Sequence, residues 1–323
     1  VSRTIYIATR GSALALAQSN MVLAQCRTNF PQRQFELKII KTTGDKLQTI
    51  NLTNPNQTVT KGLFTKELEV AMLNQEADFA VHSLKDLPTE LPDGLYLSGV
   101  SEREDVRDVL IFRSPQIASR DKRGYVAHSR VQDFQAGATI ATSSTRRSAQ
   151  LLGIRPDLKT VPIRGNVGTR LQKLIDNPQL DGIVLAYAGL KRLGYRVELD
   201  GSLAGKDVPG GLLATILPVE QMLPCVGQAA LGFESRTKDK EIDEVVGRLN
   251  HLPTQHCVTA ERAFLHGMGG GCLSPVAAYG DLQDGKLRLR AVSFKNETVR
   301  RTEKLGDASQ AEELGREVAE ELK

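Results

Sequence analysis

The sequence predicts two α/β units in succession, followed by a small α+β domain with an antiparallel sheet. Three observations carry this. Short apolar runs alternate with amphipathic stretches through the first third, the same alternation returns in the second, and the last third holds a two-residue Asp284-Gly285 hairpin signal before a closing helix. At 323 residues the chain is too long for one simple core, so two or three domains are expected.

In the first unit Thr4–Ala8 reads as a strand. Ser12 is an N-cap for a helix through Ala24, and Phe35–Lys41 is the next strand. Phe64–Leu73 is an amphipathic helix and Asp78–Val81 a strand, a βαβ pattern that implies a mainly parallel sheet. In the second unit the strands are Thr139–Ala141, Lys159–Ile163 and Gly182–Ala186, with helices from Arg146 to Leu152 and from Val167 to Asp176. Ser114–Gln135 is polar, mixed in charge and aperiodic, and reads as a loop or insertion. In the last third His256–His266 is helical, Val276–Tyr279 and Lys286–Phe294 are strands, and Thr298–Lys304 can pair next. Ala308–Leu322 closes the chain as a helix. No repeat, low-complexity tract or heptad is evident.

Composition removes several classes of function. Aromatic residues make up 5% with no Trp, which argues against an aromatic nucleic-acid platform, and the net charge of +4 is not gathered into one basic block. No run approaches the roughly 20 apolar residues of a membrane helix. The first residues read as a strand rather than a signal peptide. Cys26, Cys225, Cys257 and Cys272 have no CxxC spacing, so neither a zinc site nor a disulfide framework is expected, and a cytoplasmic location is the default. The histidines lack metal spacing, and His82 reads as a hydrogen-bonded structural residue, so no metal is expected.

Four segments could carry chemistry. Val81-His82-Ser83-Leu84-Lys85-Asp86-Leu87-Pro88 follows a buried strand, where charged side chains commonly face a cleft. A surface Lys–Asp pair closed by Pro88 accounts for these residues equally well. Ala141-Thr142-Ser143-Ser144-Thr145-Arg146-Arg147 places hydroxyls and two arginines at a strand-to-helix junction, where unpaired N–H groups and the helix dipole favour an anion. Arg164-Gly165-Asn166-Val167-Gly168-Thr169-Arg170 repeats that logic, and Ala8-Thr9-Arg10-Gly11-Ser12 is a third such junction. Lys61-Gly62-Leu63-Phe64 is either a mobile lid or a helix start. Cys272 follows three glycines. A small buried thiol is the ordinary reading of such a cysteine, but a glycine run costs entropy and suits close approach. Cys26 and Cys257 read as structural and Cys225 as packing.

Taken in order, the segments VHSLKDLP, ATSSTRR, RGNVGTR, LPCVGQAALGFE and HGMGGGCLSPVAAYG, with KGLFTKELE and SEREDVRD, resemble the porphobilinogen deaminase family from Ile5 to about Tyr279. The resemblance implies two α/β domains like those of periplasmic binding proteins around a cleft, and a third, cofactor-bearing domain. The limits it implies are 1–104 plus 216–235, 105–215 and 236–323, with the chain crossing back near Leu217–Phe233. It implies a dipyrromethane cofactor held by a thioether to Cys272. Four porphobilinogen molecules would be condensed onto it with loss of ammonia, and water would release linear hydroxymethylbilane. Asp86 matches the catalytic aspartate. Ser83, Lys85, Asp86, Ser143, Ser144, Arg146, Arg147, Arg164 and Arg170 would hold the cofactor. Arg10, Ser12, Gln18, Arg147, Arg164, Arg170 and Arg192 would hold the substrate. A monomer with no nucleic-acid or membrane partner is implied. Thr145 stands where the family often has Leu, and Ser114–Gln135 is longer than in many relatives. The competing expectation is a two-lobed binding protein that captures a small polycarboxylate without chemistry.

Overall fold

The computed structural model describes residues 3–42, 65–119, 122–271, 274–295 and 298–323. The first sheet runs β2-β1-β3-β12-β4. Strands β1 (Thr4–Arg10), β2 (Gln34–Ile40) and β3 (Phe79–Ser83) are parallel. Strand β12 (Leu231–Arg236) lies antiparallel between β3 and β4 (Leu95–Val100). Helix α1 (Ala13–Asn29) starts where Ser12 accepts the Ala15 N–H and extends five residues past the expected end at Ala24. It packs Val22, Leu23 and Cys26 against Ile5, Ile7, Phe79 and Phe233. Helix α2 (Lys66–Leu73) covers the opposite face with Leu68 and Met72; the expected start at Phe64 lies outside the described residues.

The second sheet runs β11-β5-β8-β6-β7. Here β6 (Thr139–Ala141) is parallel to β7 (Lys159–Val161) and β8 (Gly182–Ala186). Strand β5 (Asp108–Arg113) lies antiparallel between β8 and β11 (Leu212–Ile216). Helices α3 (Thr145–Ile154), α4 (Val167–Asp176) and α5 (Tyr187–Arg192) come after the three parallel strands, and the short antiparallel pair β9 (Arg196–Val197) and β10 (Leu203–Ala204) follows α5. Read from β7, this sheet has the order of the first sheet read from β2. In each, the antiparallel strand beside the parallel trio belongs to the segments where the chain crosses between lobes. The expectation of a mainly parallel sheet holds, since four of the five strands in each sheet run the same way, but one reversed strand in each, β12 and β5, was not foreseen. Their partners lie far away in sequence: Phe233 on β12 pairs with Val81. The described residues of the segment read as a loop, Ser114–Gln135, form short 3₁₀ turns and one isolated bridge, Ser119 to Lys122, yet they bury Tyr125, Val131 and Phe134 against Phe112.

The last unit is the antiparallel sheet β13 (Val276–Gln283), β14 (Lys286–Ser293) and β15 (Arg300–Asp307), with α7 (Leu252–Gly267) and α8 (Ala311–Leu322) packed on one face. Asp284 and Gly285 turn the first hairpin with φ 48° and 78°, the left-handed pair that this dipeptide tolerates. Before it, α6 (Lys240–Leu249) packs Ile242, Val245, Val246 and Leu249 onto the first sheet. Part of the segment expected in the third domain, 236–323, thus completes the core of the first lobe, because the apolar stripe of α6 faces that sheet. Among the described residues no helix is long and apolar enough to cross a membrane.

Candidate active site

Strands β1, β3 and β8 end at a cleft of about 530 Å³ between the lobes, the position where open α/β sheets bind ligands. Arg10, Ser12, Gln18, Ser83, Lys85 and Asp86 line it from the first lobe. Arg147, the Gly165–Gly168 turn, Arg170 and Arg192 line it from the second. After Ser83 the chain turns through the 3₁₀ segment Leu84–Asp86, buries Leu84 and leaves Asp86 exposed. No hydrogen bond links Asp86 to another described residue. Its charge is felt at Lys85 and Arg170. Gln18 and Ser83 exchange hydrogen bonds of 2.9 and 3.1 Å.

The cleft is short of negative charge. Burial and the neighbouring Arg147 push the Lys85 ammonium below its usual range, against the opposing pull of Asp86. Burial and Arg147 do the same to Arg170, and burial brings Arg192 down to about 10. The Nε atoms of Arg147 and Arg192 are buried without a hydrogen-bond partner among the described residues. The N-termini of α1 and α4 also open here, at Ser12–Leu14 and Asn166–Gly168, and add positive potential. Such a site favours a ligand carrying several carboxylates.

The other expected residues sit elsewhere. Arg146 is buried behind the cleft, where Nη2 donates to Asp108 Oδ2 at 2.7 Å and Nη1 to the Leu223 carbonyl at 2.7 Å. Ser143 Oγ donates to the Ile163 carbonyl at 2.8 Å and accepts the Ile163 N–H at 3.0 Å. Ser144 caps α3 by accepting the Arg147 N–H at 3.4 Å. Arg164 is exposed and does not line the cleft. Cys272 lies outside the described residues, as does Lys61–Phe64. The loop leading to Cys272 leaves α7 through Met268 and Gly269, and Gly269 has φ 62°.

Sequence reading missed Asp108, the anchor of this site. It is fully buried at the start of β5. Its Oδ1 accepts from Arg147 Nη2 at 2.7 Å and from Gln228 Nε2 at 3.0 Å, while Oδ2 takes Arg146. Burial alone would raise this carboxyl, but the two arginines hold it well below the usual carboxylate range. No local spacing announces a contact between residues 38 and 39 positions apart. A lone Asp opening an apolar strand was the available signal.

Residues 5–244 match the family domain described as porphobilinogen deaminase, dipyromethane cofactor binding domain. Residues 255–323 match the porphobilinogen deaminase C-terminal domain. The chain belongs to the porphobilinogen deaminase family. It is 43% identical to the porphobilinogen deaminase of Desulforudis audaxviator over 99% of this chain and 94% of that one. It is 42% identical to that of Thermus thermophilus, over 99% and 95%. As a porphobilinogen deaminase it is a transferase of tetrapyrrole biosynthesis, a hydroxymethylbilane synthase that uses a dipyrromethane cofactor and porphobilinogen as substrate. Full-length identity with enzymes sets aside the expectation of a non-catalytic binding protein.

Proposed function

We propose that Asp86 is the catalytic carboxylate of the condensation and that the cations on both walls of the cleft hold the acetate and propionate groups of the pyrroles. The observation that carries this is one exposed carboxylate set among Arg10, Lys85, Arg147, Arg170 and Arg192 in a single cleft. A dipyrromethane has four carboxylates, and the unpartnered Nε atoms of Arg147 and Arg192 fit such a group. Ser83, Lys85, Arg147 and Arg170 would hold it, tethered by a thioether to Cys272; when bound, it supplies the nucleophilic α-carbon. Ser143 and Ser144 support the site in this reading through the backbone and Arg146 through Asp108, while Arg164 stands exposed beside the Gly165–Gly168 turn.

Arg10, Ser12, Gln18 and Arg192 would orient porphobilinogen. As ammonia leaves, the substrate's methylene-pyrrole becomes electron-poor, and the Asp86 carboxylate stabilises that charge where it develops. The same carboxylate takes up the proton released when the C–C bond forms. An arginine at this position would oppose the charge, and an amide would keep the hydrogen bond but lose the electrostatic term.

We read the chain as three domains with the limits 1–104 plus 216–235, 105–215 and 236–323, with α6 lying on the first. We read the protein as a cytoplasmic monomer. Intact mass and peptide mapping test the tether. An adduct of two porphobilinogens less two ammonias on the peptide containing Cys272 is expected. An adduct on another cysteine, or a chain left bare after incubation with porphobilinogen, would contradict it.

A further inference from the structure

Gln228 lies in the crossing segment between β11 and β12 and is 1% exposed. Its amide is used on both sides. Nε2 donates to the Val106 carbonyl at 2.7 Å and to Asp108 Oδ1 at 3.0 Å. Oε1 accepts from Lys85 Nζ at 3.4 Å. Two acceptors on one side and an ammonium on the other leave the amide a single sensible orientation. Its backbone is pinned as well: the carbonyl accepts from Arg103 Nε at 2.8 Å, and the N–H donates to the Cys225 carbonyl at 2.9 Å. The residues on either side, Gly227 and Ala229, have φ 69° and 75°. For Ala229 that conformation is costly, and it persists only where the surroundings enforce it.

Lys85 belongs to the first lobe. Asp108 belongs to the second, where it anchors Arg147. One buried amide therefore joins a cation on one wall of the cleft to the anion that fixes a cation on the other. We propose that Gln228 is a positioning residue of the condensation, holding Lys85 and Arg147 at a set separation so that together they grip the carboxylates of the pyrrole chain. This rests on the reading of Lys85 and Arg147 as carboxylate-binding groups. Only an amide serves both sides. Glutamate would set a second carboxylate against Asp108 and a carbonyl, and leucine would leave Val106 and Asp108 each short of a donor and take away the acceptor that Gln228 offers Lys85.

The test is a double-mutant cycle on holoenzyme, with cofactor load checked by intact mass. Gln228→Leu, Lys85→Met and the double variant are compared with wild type for KM, kcat and thermal midpoint. Gln228→Leu is expected to raise KM for porphobilinogen on the order of tenfold with a much smaller change in kcat. Lys85→Met should then add far less in that background than alone. A lowered thermal midpoint with wild-type KM, or fully additive effects, would make Gln228 merely structural and overturn the proposal. If Gln228→Leu does not fold, Gln228→Glu carries the same measurement, and a wild-type KM there overturns it equally. Wild-type KM in Lys85→Met would bring down the carboxylate-binding reading and this proposal with it. Raised KM in Lys85→Met beside wild-type KM in Gln228→Leu brings down this proposal alone.

Discussion

The two lobes share one strand order, but they differ in the connection that leaves the third parallel strand. After β3 the chain makes a single 3₁₀ turn that presents Lys85 and Asp86. After β8 it enters helix α5, whose last residue is Arg192. The first parallel strands differ less: β1 leads to Arg10 and Ser12, and β6 to the α3 start with Arg147. Each antiparallel inserted strand also buries one carboxylate. Glu234 on β12 meets a single imidazole, His82 at 2.9 Å, whereas Asp108 on β5 meets two guanidiniums and an amide. The sheet thus supplies the place, and the connection after each strand decides its chemistry. In our reading both lobes grip the carboxylates, and the first lobe alone also supplies the reacting group, Asp86.

That contrast can be broken at both ends. The largest effect is expected at Asp86. Asp86→Asn should lower kcat by roughly 10²–10⁴ without moving the thermal midpoint, since the side chain is exposed. Next comes Asp108→Asn, which leaves Arg146 and Arg147 buried without their carboxylate. It should cost about 3–5 kcal/mol of stability in denaturant unfolding. Arg170→Gln should act through binding, raising KM about tenfold with kcat nearly kept. The smallest effect is expected at the exposed pair Lys191–Glu104, 2.5 Å apart, which spans the connection between lobes. Lys191→Ala should change stability by no more than about 1 kcal/mol, and the change should shrink in high salt.

The Asp108 anchor also sets a pH signature. A carboxyl held below its usual value in the folded state contributes stability that is complete above the ordinary aspartate range near pH 4. That contribution is lost only as pH falls below this range toward the folded value. The stability gap between wild type and Asp108→Asn should therefore stay level from pH 8 to about 5 and narrow below about 4. A gap that closed near neutral pH would point to another titrating group.

Much of this arrangement was legible in the residues. The parallel trios were visible because their strands are short apolar runs leading into helix starts, and Asp284-Gly285 announced its hairpin because few dipeptides accept two positive φ angles. The inserted strands β5 and β12 were missed because a strand's partners are a tertiary fact. Arginines at strand-to-helix junctions pointed to the cleft, but adjacent residues on a helix diverge by about 100°. Sequence alone could not separate Arg147, which lines the cleft, from Arg146, which is buried behind it. Ser143 and Ser144 looked like ligand hydroxyls, yet both are engaged with the backbone. The partners of Asp108 and Gln228 could not be read from local pattern, because their roles exist only where two lobes and a crossing segment meet.

The assignment of the reacting carboxylate to the first lobe is tested most directly by tracking pyrrole addition itself. Wild-type and Asp86→Asn holoenzyme are given a short pulse of porphobilinogen, and the mass of the intact chain is recorded over time. The account predicts that the variant adds its first pyrrole at least about 100-fold more slowly than wild type. Addition at the wild-type rate would contradict it.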